Sequence, residues 1–158
     1  MGMMVDKPIP GKGLPPFEFP IERGKIKEFA RALGDKNPLY IDQDLAKRAG
    51  FASIPAPPTY TASMLHHVPD ENFLLNIMAE LGMNVARSMH GEQEFEYIKP
   101  ITAGDVLTVQ MGVTDSYQKE SKRGNRLNFT VFEATHTNQD GEIVQKERMT
   151  FIEEAPAG

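Results

Sequence analysis

No cysteine occurs among the 158 residues, which excludes disulfides, thiolate metal sites and a cysteine nucleophile. Positive charge is not in excess either. The formal net charge is −5, so nothing electrostatic draws the chain to nucleic acid or to an anionic membrane. No apolar run approaches the length of a membrane-spanning helix. The opening stretch, MGMMVDKPIPGKGLPP, holds no continuous apolar core of the kind a secretory signal needs, and a cytoplasmic protein is the expectation. The histidines and carboxylates follow no established ligand spacing, so neither a metal nor another cofactor is expected. What is present, 40% hydrophobic and 25% charged residues, is the composition of a globular domain. The length suits one domain with a sizeable core and is short for two.

Along the chain the hydrophobic period changes once. Phe17, Phe19 and Ile21 alternate in FEFPI and predict a short strand, with Pro20 suiting an edge or a strand end. In KIKEFARALG, Ile26, Phe29, Ala30 and Leu33 recur at helical spacing, and Gly34 suits a left-handed helix end. Asp42 can cap a short helix through QDLAKRA, closed by Gly50. Pro55, Pro57 and Pro58 bar regular structure, but a proline fits the first turn of a helix. A helix from about Pro58 to Val68 would place Tyr60, Met64 and Val68 on one face. It carries little charge, which predicts burial. NFLLNIMAELG repeats the helical pattern. After residue 88 the period is two. MHGEQEFEYI sets Phe95 and Tyr97 on one face and Glu92, Glu94 and Glu96 on the other. Leu107, Val109, Met111 and Val113 alternate next, then Leu127, Phe129 and Val131, and EIVQKERMTFI closes the set. Asp140-Gly141 signals a tight hairpin. The fold class is α+β, with helices first and then an antiparallel meander able to wrap one buried helix. A single domain over 17–152 is expected, between a loose segment 1–16 and a tail 153–158.

GDKNPLYID, residues 34–42, raises the functional question. Gly-Asp-Lys-Asn-Pro is ordinary helix-stop and turn chemistry. It also precedes a nearly uncharged helix whose N-terminus would present unpaired N–H groups and a positive dipole end. Such groups can hold a carbonyl oxygen as it gains negative charge. A carboxylate and an amide beside them, Asp35 and Asn37, suit proton chemistry next to a thioester.

Three stretches, GDKNPLYID, GFASIPAPPTY and HGEQEFEYIKPITAGD, resemble those of the MaoC-like hydratases and dehydratases. The group most resembled is the N-terminal-type dehydratase domains, which include the non-catalytic subunits of mycobacterial 3-hydroxyacyl-carrier-protein dehydratases. The resemblance runs from about Phe17 to Ile152. It implies a hotdog fold, in which an antiparallel sheet wraps a central helix starting at Thr59. It also implies pairing of two such folds, as a homodimer or as a heterodimer with a catalytic MaoC-like subunit, and binding of an acyl-coenzyme A or acyl-carrier-protein thioester near the shared interface. Catalytic members of the superfamily carry Asp-x-Asn-x-x-His in this loop. Asp35 matches the Asp and Asn37 the Asn, but the His falls on Tyr40. A free phenol titrates near pH 10 and is a poor exchangeable base, whereas an imidazole titrates near 6.5 and can both take and give a proton. The loop therefore reads as a degenerate half-site.

By the same resemblance, substrate contacts are expected from Tyr40 and from Pro58, Thr59, Tyr60 and Met64 at the central helix. His90, Gly91 and Gln93 are expected to add contacts from the strand that follows. His90 reads equally well as a strand-end histidine with a local hydrogen bond. Gln93, in register with Phe95 and Tyr97, would be partly buried and need a partner. His66 and His67 suit a helix end or an interface, His136 is expected to be exposed, and the three glutamates read as a solvated face. Lys122, Arg123 or Arg126 would have to meet any coenzyme A phosphate. Four functions stay open: the substrate-binding half of a heteromeric hydratase or dehydratase, a self-sufficient hydratase using Asp35 with His90, a hotdog thioesterase, and a non-enzymatic acyl-thioester-binding dimer.

Overall fold

The computed structural model describes residues 11–68 and 70–155. Residues 1–10 of the expected loose segment and 156–158 of the expected tail lie outside that range. The elements run in order β1 (Phe17–Pro20), α1 (Arg23–Ala32), α2 (Gln43–Arg48), a central 3-10 helix (Tyr60–His66), α3 (Phe73–Glu80), β2 (Ser88–Tyr97), β3 (Val106–Glu120), β4 (Arg126–Thr137) and β5 (Ile143–Glu154). All strand pairs are antiparallel. They form one five-stranded sheet of order β1-β3-β4-β5-β2, so the class is the expected α+β. The short β1 and the long β2 are its two edges.

In β3 the alternation read in the sequence faces the core, with Leu107, Val109, Met111 and Val113 buried. In β4 the phase differs from expectation: Phe132 and Ala134 join that core with Met149 of β5, whereas Leu127 and Phe129 are only half-buried. Ile26 and Ala30 of α1 join them with Tyr60 and Met64 of the central helix. Burying a side chain of this size contributes about 1.5–3 kcal/mol. Phe19 ties the layers together, its ring stacked on Tyr60 at 5.7 Å and tilted against His67 at 4.7 Å.

The central helix differs from expectation. It is a seven-residue 3-10 helix rather than an α-helix reaching Val68. Its bonds span three residues, from Tyr60 N to Pro57 O, Ala62 N to Thr59 O and His67 N to Met64 O. A local cause favours the tighter winding: the Ser63 hydroxyl donates to Tyr60 O at 2.7 Å, offering that carbonyl a partner other than the α-helical N–H of Met64.

The stretch from Gly11 to Pro16 also departs from expectation, because it is docked rather than loose. Gly11 N donates to Val113 O, and Leu14 N to Met111 O at 2.8 Å, and Leu14 is buried. Gly112 permits this approach, since a Cβ there would stand 2.9 Å from Lys12 O. At the other end β5 continues to Glu154, past the expected boundary. Glu153 accepts from Asn84 N at 3.1 Å, which holds that strand end in place.

Candidate active site

The loop after α1 is built by local turn chemistry. Gly34 takes a left-handed φ of 72°, and Asp35 N returns to Ala30 O at 2.9 Å, closing the helix. Asp35 Oδ1 then accepts from Asn37 N at 2.9 Å, and Asn37 Oδ1 accepts from Leu39 N at 3.1 Å. These are two successive side-chain-to-backbone turns. They leave Asp35 and Asn37 exposed and carry the chain into Tyr40, which is buried. Burial pushes the Tyr40 phenol above its ordinary range, and the nearby Asp35 carboxylate pushes it further. The loop thus brings Asp35 and Tyr40 into one electrostatic environment, and the phenol keeps its proton at neutral pH.

A groove of about 330 Å³ opens at the start of the central helix. Pro57, Pro58 and Thr61 form one wall, and Tyr97, Ile98 and Lys99 at the end of β2 form the other. The lining is largely apolar. At its base Gln145 Nε2 donates to Thr61 Oγ1 at 2.6 Å, and both residues are buried. Lys99 is paired with Glu142. Hydrogen bonds from Lys99 and then Asn138 hold the Glu142 carboxyl below its usual range.

Of the residues expected to contact substrate, Pro58 lines this groove. Thr59 is exposed beside it. Tyr60 and Met64 are sealed in the core at 2% and 0% exposure and line neither wall. The groove lining does not include Asp35, Asn37 or Tyr40, so the single chain holds two separate half-features. The expected oxyanion site at the helix start is also altered, because Tyr60 N and Ala62 N already donate to Pro57 O and Thr59 O.

On β2, a bulge between His90 and Glu92 shifts the register. Gly91 sits there with no room for a side chain, since a Cβ would lie 2.6 Å from Ile152 Cδ1. His90 is exposed, its ring set edge-on to Phe151 at 5.4 Å. Gln93 has the partner it was expected to need, as its Nε2 donates to Glu147 Oε1. Tyr97 was expected on a buried face with Phe95. It is 56% exposed, because β2 is an outer strand with nothing beyond it.

Sequence reasoning missed the other end of that network. His136 is wholly buried, not exposed, and its Nε2 lies 3.0 Å from Glu147 Oε2. Its Nδ1 has no hydrogen-bond partner among the described residues. The available signal was the period of two, since His136 follows Phe132 and Ala134 on one face, and Glu147 lies between Gln145 and Met149. The Glu147 carboxylate also reaches Tyr97, whose phenol is raised by burial and by this charge.

Among the described residues no group of three or more His, Asp or Glu side chains is placed to hold a metal ion. Among the described residues no helix is long and apolar enough to cross a membrane.

The fold matches the HadBC (3R-hydroxyacyl-ACP dehydratase) complex of Mycobacterium tuberculosis, with TM-score 0.72 at 21% identity over 92% of this chain and 98% of that one. It also matches the ChsH1–ChsH2 complex of the same organism, with TM-score 0.71 at 21% identity over 92% and 86%. A MaoC-like dehydratase gives 0.74 at 23% identity, over 91% of this chain and 42% of that one. The fold is therefore the hotdog fold of the MaoC-like dehydratases. In sequence, the UPF0336 protein of Saccharopolyspora erythraea is 33% identical over 151 residues, 95% of this chain and 92% of that protein. The UPF0336 protein of Streptomyces griseus is 38% identical over 108 residues, 68% and 70% of the two. The family described as FAS1-like, dehydratase domain region matches residues 9–147, and the chain belongs to it.

Proposed function

We propose that this chain is the substrate-binding half of an enoyl-thioester hydratase or 3-hydroxyacyl-thioester dehydratase, with the acid–base pair supplied by a partner chain of the same fold. The observation that carries this reading is Tyr40. Adding water across the bond next to a thioester carbonyl needs a group that takes a proton from water and a group that gives one to the α-carbon. A phenol held above its ordinary range gives up its proton too reluctantly to cycle at neutral pH. Asp35 has no imidazole in its own loop, and its Oδ1 already serves the turn.

The groove suits binding. Its apolar walls fit an acyl or pantetheine arm. Thr61 Oγ1 accepts from Gln145, which leaves the hydroxyl proton of Thr61 free to donate to a carbonyl oxygen. Tyr97, Ile98 and Lys99 lie at the end of β2, so a second fold paired along that strand would bring its own residues to the groove mouth. Both HadBC and ChsH1–ChsH2, which share this fold, are described as complexes.

The test is Tyr40→Phe in the reconstituted two-chain complex, assayed with an enoyl thioester. Most hydration activity should survive, because only a hydroxyl that performs no proton transfer is lost. A fall in kcat of about a hundredfold or more with the complex intact is the scale of general acid–base catalysis, and would make Tyr40 a catalytic donor.

A further inference from the structure

We infer that the acyl groups this chain takes are short, of butyryl or crotonyl size, because a buried polar rung of the sheet closes the inner end of the groove. The inference rests on the reading above, that the groove binds an acyl thioester, and adds the length of tail it admits.

The inner face of the sheet is layered. The strand register sets Tyr97, Gln145 and His136 on one rung across β2, β5 and β4. The next rung inward holds Phe95, Glu147 and Ala134, and the one after it Gln93, Met149 and Phe132. The groove meets the first rung at Tyr97 and Gln145. The third rung, at Met149 and Phe132, borders a separate apolar hollow closed by Leu65 of the central helix and by Leu74 and Ile77 of α3. Groove and hollow lie in line, because Thr61 marks the first on the central helix and Leu65 the second. A tail longer than the groove would have to cross the middle rung to reach the hollow.

That rung is shut by charge and by packing. Glu147 is 1% exposed. One of its oxygens accepts from Gln93 Nε2 of β2, and the other lies 3.0 Å from His136 Nε2 of β4. Methylenes forced past it would have to break those bonds inside the core, where an unmade bond is costly. In front of the rung, the Gln145–Thr61 bond ties sheet to helix. Met64, beyond Thr61 on the central helix, is wholly buried. The hollow measures about 10 Å³ against about 330 Å³ for the groove, barely room for one water. Thr61, whose hydroxyl is proposed to hold the thioester carbonyl, stands at this closed end, so little of the groove is left beyond the carbonyl for a tail.

The test is calorimetric titration of the purified chain with butyryl-, hexanoyl- and octanoyl-coenzyme A, saturated thioesters that a hydratase leaves unchanged. Affinity should level off or fall beyond butyryl. An open tunnel would instead tighten binding roughly fourfold for each added methylene, or roughly two hundredfold from butyryl to octanoyl. The variant His136→Leu with Glu147→Ala removes the charged rung and leaves space in its place. It should raise the octanoyl-to-butyryl affinity ratio at least about tenfold. The wild-type series decides by itself if that variant does not fold. Octanoyl-coenzyme A binding wild type about tenfold or more tightly than butyryl-coenzyme A, or an unchanged ratio in the folded variant, would overturn the inference and leave the half-site reading standing. If none of the three thioesters binds the chain, the substrate-binding reading falls and the inference with it.

Discussion

Tyr60 and Tyr40 are both buried phenols, and they bear on different properties. The Tyr60 hydroxyl is buried without a hydrogen-bond partner among the described residues. Its pKa is pushed up to about 12, first by burial and then by Glu22 and Glu28. In the unfolded chain the group ionises near pH 10. The fold therefore favours the neutral phenol. That contribution is whole below about pH 10, declines as pH rises, and is lost above about pH 12, a swing of about 2–3 kcal/mol. Tyr60→Phe should remove this alkaline sensitivity in urea unfolding at about pH 9 and about pH 11. At neutral pH it should cost nothing, because an unsatisfied polar group is removed. The Asp35, Asn37 and Tyr40 positions were legible in the sequence because each is set by bonds within three residues or by the end of one helix. The Gln145–Thr61 bond joins residues far apart in sequence, and no local pattern announces it.

At the scale of elements, the β4–β5 hairpin and β2 are joined through one buried carboxylate. Glu147 takes Gln93 from β2 on one oxygen and His136 from β4 on the other. Glu147→Ala should cost about 1–3 kcal/mol, since it strands polar partners in the core. Replacing the pair together, His136→Leu with Glu147→Met, should recover most of that loss. Chemical denaturation of the two variants makes the comparison. The Gly11–Pro16 segment offers a second check. Gly112→Ala sets a methyl against Lys12 O, and should lower stability by about 1–3 kcal/mol as that segment lifts from β3. The helices and strands themselves were readable from their two periods. The 3-10 winding of Tyr60–His66 was not, because Tyr60 and Met64 satisfy a helical spacing whichever way the backbone is wound. Burial of His136 was missed because the alternation was followed on Leu127, Phe129 and Val131, the opposite phase from buried Phe132, Ala134 and His136.

The whole molecule is a hotdog fold, and the two features on which the proposed thioester chemistry rests lie apart. The groove lies between the central helix and the end of β2, and the Asp35–Tyr40 loop does not line it. The long edge beside the groove is open along β2. A second subunit at that edge would complete both the sheet and the site, which is why a lone chain should bind substrate better than it converts it. Hydration of crotonyl-coenzyme A by the purified chain, alone and then with a same-fold partner carrying the full Asp-x-Asn-x-x-His loop, is the most direct measurement of this division. The expected result is turnover at least about a hundredfold slower for the chain alone than for the complex, the scale set by a missing acid–base group. Robust turnover by the chain alone, abolished by Asp35→Asn, would contradict it.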